Sequence, residues 1–281
     1  MIFSDLVAKP DAAPSQYVRD GVVCIRQLFT PNEIDHIRQV FTDQVESSIE
    51  LGHNDNVASD DILAEYPRFI HPHRHPETEA GRTAHRYLID QRLVKMAESL
   101  IGDVYGAQTM FYFKPPSARG QAMHQDNWFL KAHPETCLAA WVAIDDTDAA
   151  NGGLILVPGS HKQEVLCHED SDPTVSFSKN TVRIPEGMTR VQSELKAGDV
   201  LFFHGSMVHG SLPNTTTDRF RRSLIFHYVP RTSKEVAEWY MPLIDPRNSG
   251  ETRIGAAALG GPCGEAWSAD EAAFAPSAVA A

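Results

Sequence analysis

Apolar residues follow two rhythms along this chain, and the change of rhythm divides it. In the first hundred residues the spacing is mostly helical. Thr30 can cap a helix, Pro31 falls in a first turn where proline is tolerated, and Glu33 completes a capping box. Ile34, Ile37, Phe41, Val45 and Ile49 then recur at helical spacing, which predicts a stripe packed into the core. A second helix is predicted over about 91–101, with Leu93, Ala97 and Leu100 on one side and Gly102 to end it. The short run VVCI after Gly21 reads as a strand.

After that the rhythm shortens. QTMFYF, LAAWVAI, LILV, VLFF and SLIFHY are β-like runs separated by the turn-forming stretches AANGG, PGSH, KAGD and LPNTTTD. This pattern predicts a mainly β protein with flanking helices (α+β), built on an antiparallel double-stranded β-helix of the jelly-roll or cupin-like kind over about 105–230. Residues 1–14 read as a lead-in, 15–254 as a single domain, and 255–281 as an alanine-rich tail. Residues 52–80 are polar, and Pro67, Pro72 and Pro76 forbid any long regular element there.

Charge narrows the partners. Lys and Arg number 25 against 37 Asp and Glu, a net charge of −12 that would repel a polyanion, so nucleic acid is excluded in favour of a small molecule. The four cysteines have no CxxC or regular spacing and suggest neither a disulfide framework nor a zinc cluster. The chain begins with no basic region followed by an apolar stretch, and no segment approaches about 18 uninterrupted apolar residues. A cytoplasmic enzyme free of the membrane is the expectation, with a homodimer compatible with it.

The candidate chemistry lies in two segments. In MHQDNWFL, His124 and Asp126 are two residues apart, so on an extended backbone both side chains point to one face. VLFFHGSMVHGS offers His204 or His209 as a third ligand. Two histidines and a carboxylate on one side of Fe(II) leave the opposite positions open, whereas a closed zinc site would use four ligands, usually with thiolates.

HQD, AAWVAIDDTDAANGGLILVPGSHK and LFFHGSMVHGSLPNTTTDRFRRSLIFHY, in that order, resemble the phytanoyl-CoA dioxygenase family, and YVRDGVVCIRQLFTPNEIDHIRQ resembles its opening strand and helix. The resemblance covers roughly residues 15–230. It implies iron ligation by His124, Asp126 and His209, leaving His204 to pack or hydrogen-bond nearby. It implies 2-oxoglutarate and O2 as cosubstrates, with the distal carboxylate held by an arginine from the strand after the last histidine. Strand alternation admits only one of Arg221 and Arg222, and the match selects Arg221, with Ser223 facing the same way. Trp141, Gln108 and Lys114 occupy positions that border or touch the oxoacid in similar proteins. Asn151, Gly152, Gly153 and the PGSH turn carry the resemblance strongly but suit structural turns.

The implied outcome is hydroxylation of an unactivated C–H bond with release of succinate and CO2. Desaturation, cyclisation or epimerisation could start from the same hydrogen abstraction. Relatives that transfer chloride lack the carboxylate ligand, and Asp126 is present. A small polar metabolite, as in natural-product biosynthesis, is the expected substrate. The stretch YPRFIHPHRHP, residues 66–76, adds a candidate substrate entrance, with Arg68, His71 and Arg74 as contacts and His73 and His75 adding charge. The competing reading is a cupin-like isomerase, hydrolase or binding protein that keeps the metal ligands and has no need of Arg221.

Overall fold

The computed structural model describes residues 1–47, 51–53, 57–134, 136–163 and 165–257. The capped stripe forms the helix Pro31–Val45, and the Thr30–Glu33 capping box closes as expected. Ile34, Ile37 and Phe41 are buried on it, while Ile49 lies outside the described residues. The second expected helix runs Gln91–Ile101 and ends at Gly102, whose φ of 77° suits a residue without Cβ. Two further helices, Ala13–Asp20 and Glu79–Leu88, were not anticipated. The second of these accommodates Gly81 because the carbonyls of His75 and Pro72 press against the place a Cβ would fill.

Nine strands form the larger sheet. Its path runs Val22–Ile25, Val200–His204, Leu138–Ala143, Ser223–Pro230, Val104–Tyr112, Leu243–Asp245 and Gly250–Thr252, with Arg68–Ile70 and Gly52–His53 branching from Val104–Tyr112. A smaller sheet runs Val191–Gln192, Leu154–Leu156, His209–Ser211 and Gln121–His124, antiparallel throughout. Two two-stranded pairs stand apart. Among the described residues the fold is a mixed α/β arrangement whose two larger sheets are antiparallel and whose Glu235–Val236 and Gly255–Ala256 pair is parallel, with no closed ring of strand pairing.

Alternation along the larger sheet sorts its side chains into two layers. Phe111, Val142, Phe202, Leu224 and Phe226 join Ile34, Phe41, Leu88 and Leu93 of the helices in one apolar cluster. Phe41 and Phe111 stack with ring centroids 4.1 Å apart. Trp141, Leu201, Phe203 and Ile225 face the other way and join Leu154 and Leu156 of the smaller sheet. The functional side chains stand in this second layer.

Gly255–Ala256 still pairs with Glu235–Val236, so described structure continues past 254; the rest of the tail lies outside the described residues. Cys24 and Cys137 are buried thiols, but Cys167 is disulfide-bonded, contrary to the reading of the cysteine spacing. Among the described residues no helix is long and apolar enough to cross a membrane.

Candidate metal centre and its cavity

His124 and His209 are direct partners across the antiparallel pair Gln121–His124 and His209–Ser211. Directly opposed residues on neighbouring strands point to the same face, so the register alone brings the two imidazoles together. Their ring centroids are 4.2 Å apart. Asp126 arrives differently from the expectation. It is not extended but αR (φ −62°, ψ −33°), at the start of the short helix Asn127–Leu130, and that turn returns its carboxylate to the histidines. Ligand atoms of His124, Asp126 and His209 all lie within 4.8 Å of one another, and all three residues are buried.

Each donor atom is presented by a partner on its other side. His124 Nδ1 is 2.9 Å from the Ala122 carbonyl and His209 Nδ1 is 3.0 Å from that of Met207. Both rings therefore donate through Nδ1 and leave the Nε2 lone pair toward the centre, the tautomer a metal needs. Asp126 Oδ1 stands 3.5 Å from His124 Nε2 and 3.6 Å from His209 Nε2, while its Oδ2 is tied to His227 Nε2 at 3.1 Å. Burial opposes ionisation of Asp126, but the histidines around it, His209, His227 and His124, prevail and hold the carboxyl well below its usual range. Burial, with His124 beside it, pulls His209 down to about 4, so it is neutral at ordinary pH. Two imidazoles and one carboxylate, each oriented by a second hydrogen bond, fit Fe(II).

His204 is elsewhere. It ends its strand against Tyr17 and His161, and its Nδ1 accepts from the Ser206 amide at 3.1 Å.

The triad opens onto a cavity of about 290 Å³ whose lining includes Gln108, Trp141, Arg221 and His227. Arg221 is 3% exposed; its Nη1 donates to Ser223 Oγ at 3.2 Å and its Nε to the Gly152 carbonyl at 3.3 Å, with the guanidinium 5.6 Å from the Trp141 ring centre. Lys114, behind it, donates to Ser211 Oγ and the Leu212 carbonyl, both at 2.7 Å. Among the described residues neither cation forms an ion pair with a carboxylate. Burial brings Arg221 down to about 10, and burial together with Arg221 pushes Lys114 well below its usual value. Arg222 points the other way and grips Asp145 with two hydrogen bonds of 2.8 and 2.9 Å.

Lys114 does not line the main cavity but a small adjoining space shared with Arg68, Tyr112 and Arg221. Gln108 does line the main cavity, and its Nε2 is 3.5 Å from His71 Nε2. Residues 66–76 are no exposed cationic rim. Arg68, His71 and His73 are buried, burial drops His73 to about 3, and only Arg68 of this stretch reaches the main cavity. Arg74 turns away, its Nη2 donating to the carbonyls of Trp239 at 3.0 Å and Met241 at 3.4 Å, and His75 faces Glu77. The reason is the strand Arg68–Ile70, which pairs with Val104–Tyr112 and pulls the segment into the sheet.

Several cavity residues were missed. His227 was legible, because continuing the alternation from Arg221 through Ser223 and Ile225 reaches it. Gln121, whose Nε2 is 3.2 Å from His124 Nε2, could have been found on the strand before the HxD pair. Tyr240 and the stacked pair Trp128 and His168, with ring centroids 3.6 Å apart, come from turns that periodicity does not describe.

Two histidines and a carboxylate converging from one side, with open space on the other, define a 2-His-1-carboxylate centre of the non-haem iron oxygenases. Residues 17–223 match the family model described as phytanoyl-CoA dioxygenase (PhyH), and the chain belongs to that family, whose enzymes take Fe(II) and 2-oxoglutarate. A probable phytanoyl-CoA dioxygenase of Caenorhabditis elegans is 28% identical over 238 residues, covering 76% of this chain and 73% of the worm protein. Phytanoyl-CoA dioxygenase 1 of Oryza sativa subsp. japonica is 32% identical over 136 residues, 47% of this chain and 46% of the rice protein. Among solved structures, the epimerase SnoN with Fe3+, alpha-ketoglutarate and nogalamycin RO superposes with a TM-score of 0.66 at 20% identity, covering 89% of this chain and 96% of SnoN. That last likeness is one of fold. The cytoplasmic expectation is overturned: the rat, mouse, human and bovine relatives are peroxisomal phytanoyl-CoA dioxygenases, and sparse cysteines do not discriminate between these compartments.

Proposed function

We propose that this chain is an Fe(II)- and 2-oxoglutarate-dependent dioxygenase that hydroxylates an unactivated C–H bond of a small polar metabolite, releasing succinate and CO2. The observation that carries it is Arg221: a buried guanidinium with no carboxylate partner among the described residues, on the wall of the cavity that holds the triad. An isolated buried cation costs several kcal/mol unless an anion meets it, so the site is built to receive one. A cupin-like isomerase or hydrolase has no use for that charge.

In this reading Arg221 and Ser223 hydrogen-bond the distal carboxylate of 2-oxoglutarate, and Lys114 adds positive potential from behind. Trp141 and Ile225 form an apolar wall that keeps water from the cosubstrate, and Gln108 offers an amide to the bound ligands. Iron and 2-oxoglutarate supply, with O2, an oxidant able to take hydrogen from an unactivated carbon. The carboxylate of Asp126 stays ionised and fixed by His227 throughout. Arg68 gives the substrate space a positive side. The likeness to an enzyme of nogalamycin biosynthesis supports a natural-product metabolite as substrate. We read residues 15–254 as one oxygenase domain, and the nine- and four-stranded sheets as the two halves of a double-stranded β-helix.

Anaerobic titration of the purified protein with Fe(II) and 2-oxoglutarate tests the reading. Chelation of the oxoacid to the metal gives a visible charge-transfer band. Its appearance at stoichiometric iron is the expected result, and a protein that binds Fe(II) without ever developing the band is not a 2-oxoglutarate enzyme.

A further inference from the structure

Tyr240 lines the cavity and is 2% exposed. It stands on the one-turn helix Glu238–Tyr240, beyond the segment that matches the family model, which ends at Ser223. Its hydroxyl makes no hydrogen bond to any described residue. Tyr112, the other cavity tyrosine, differs, because burial raises its pKa while the charge of Arg68 beside it works in the opposite direction. A phenol on the cavity wall whose hydroxyl meets no described residue has its bonding capacity open to something that enters.

The turn that carries it is anchored from residues 66–76. Arg74 donates to the carbonyls on either side of Tyr240, those of Trp239 and Met241. The His71 ring meets Trp239 edge-on at 4.3 Å and Tyr240 at 5.6 Å. His71 itself sits at φ 56°, a left-handed conformation that costs a non-glycine residue energy and persists because the surroundings fix it.

We propose that Tyr240 recognises the prime substrate by donating a hydrogen bond to an oxygen acceptor on it, and that Arg74 is the positioning residue that sets Tyr240 in the cavity. This rests on the reading of the cavity as an oxygenase's substrate space. It defines the substrate class as molecules with a carbonyl, ether or carboxylate oxygen close to the carbon that reacts. It also gives the proline-rich stretch a role in substrate selection that does not depend on its charge meeting the substrate. Burial, then Cys137 and Asp126, push the phenol well above its usual pKa, so it remains a protonated donor.

The test uses the full chain loaded with Zn(II) and 2-oxoglutarate and a pair of probes of one shape, cyclohexanone and methylenecyclohexane. They differ in the acceptor oxygen alone. Dissociation constants from ligand-observed NMR are expected to favour the ketone by about fivefold, the worth of one neutral hydrogen bond. Tyr240→Phe keeps the ring and should bring the two probes level. Arg74→Met should do the same with 2-oxoglutarate affinity and melting temperature unchanged, while Arg74→Lys, still able to donate to both carbonyls, keeps the preference. Equal binding of the probes by the wild type, or a preference that survives Tyr240→Phe, overturns the assignment of Tyr240. A preference that survives Arg74→Met overturns that of Arg74. The probes need no turnover, so these outcomes are separate from failure of the charge-transfer titration, which would remove the oxygenase reading and leave the probe preference to be read on its own.

Discussion

The two faces of the nine-stranded sheet are made by the same strands and have opposite characters. Toward the helices, Phe111, Val142, Phe202, Leu224 and Phe226 are apolar and closed to solvent. Toward the smaller sheet the same strands carry Gln108, Trp141, Ser223 and His227, two of them with polar groups tied to the metal centre or to Arg221. One residue along a strand separates Phe226, which only packs, from His227, which orients Asp126. The contrast teaches that stability and chemistry are divided here by strand parity and not by position along the chain.

The widest separation between the faces is expected from His209→Ala set against Phe226→Ala. The first should lose bound iron and turnover to background while leaving the melting temperature nearly unchanged. The second should cost about 3–5 kcal/mol of stability, as an aromatic removed from a closed core does, with iron and 2-oxoglutarate affinity retained by the protein that stays folded. Denaturant titration and metal analysis on both variants check this; if His209→Ala melts as Phe226→Ala does, the division fails.

Arg221 and Arg222 sharpen it within one dipeptide. Arg221→Ala should weaken 2-oxoglutarate binding by about 2–4 kcal/mol, the worth of a desolvated charge-assisted pair. Arg222→Ala should leave that affinity alone and lose only its bond to Asp145. Calorimetric titration with 2-oxoglutarate would expose a reversed order.

His227→Ala removes an orienting partner and no ligand. Such partners are worth about 10–100-fold in metal affinity, so competition with a chelator should place the variant between wild type and His209→Ala. Iron affinity equal to wild type would make His227 a packing residue.

The smallest effect belongs to the helical side. Arg92, through its hydrogen bonds, lowers Glu33 to about 2 despite the opposing effect of burial. A depressed carboxylate pKa contributes stability above its unfolded value, about 4.3, and that contribution is lost as pH falls through about 2. Glu33→Gln keeps the capping-box geometry and should flatten the acid limb of stability between those values by under about 1 kcal/mol, since the pair is partly exposed. The 2-oxoglutarate affinity should not change; if it does, the helical layer is coupled to the site.

Much of this site could be read from the chain because its residues obey local rules. His124 and Asp126 announce themselves by spacing, although Asp126 reaches the centre through a helical turn and not by strand alternation. Parity admitted only one of Arg221 and Arg222, the family resemblance selected Arg221, and counting on from it by twos reaches His227. The helix Glu79–Leu88 was missed because the polar stretch with Pro67, Pro72 and Pro76 runs straight into its first turn, where Gly81 is required by the carbonyls of His75 and Pro72. Within residues 66–76 the charge and prolines suggest solvent, whereas residues 68–73 are buried where the strand Arg68–Ile70 pairs with Val104–Tyr112. Tyr240 was not legible at all. It enters the cavity by a tertiary approach, fixed by Arg74 from a segment far away in sequence.

The cross-strand pairing of His124 with His209 also bears on how the protein matures. If one strand slips by a single residue, one imidazole turns to the opposite face of the sheet, and the three donors no longer meet. Iron can therefore be captured only by chains in which this short pairing is already correct, and once captured it cross-links two segments more than eighty residues apart. Metal uptake becomes a proofreading step for assembly of the smaller sheet, and newly made protein starved of iron should hold that pairing less firmly than protein folded in its presence.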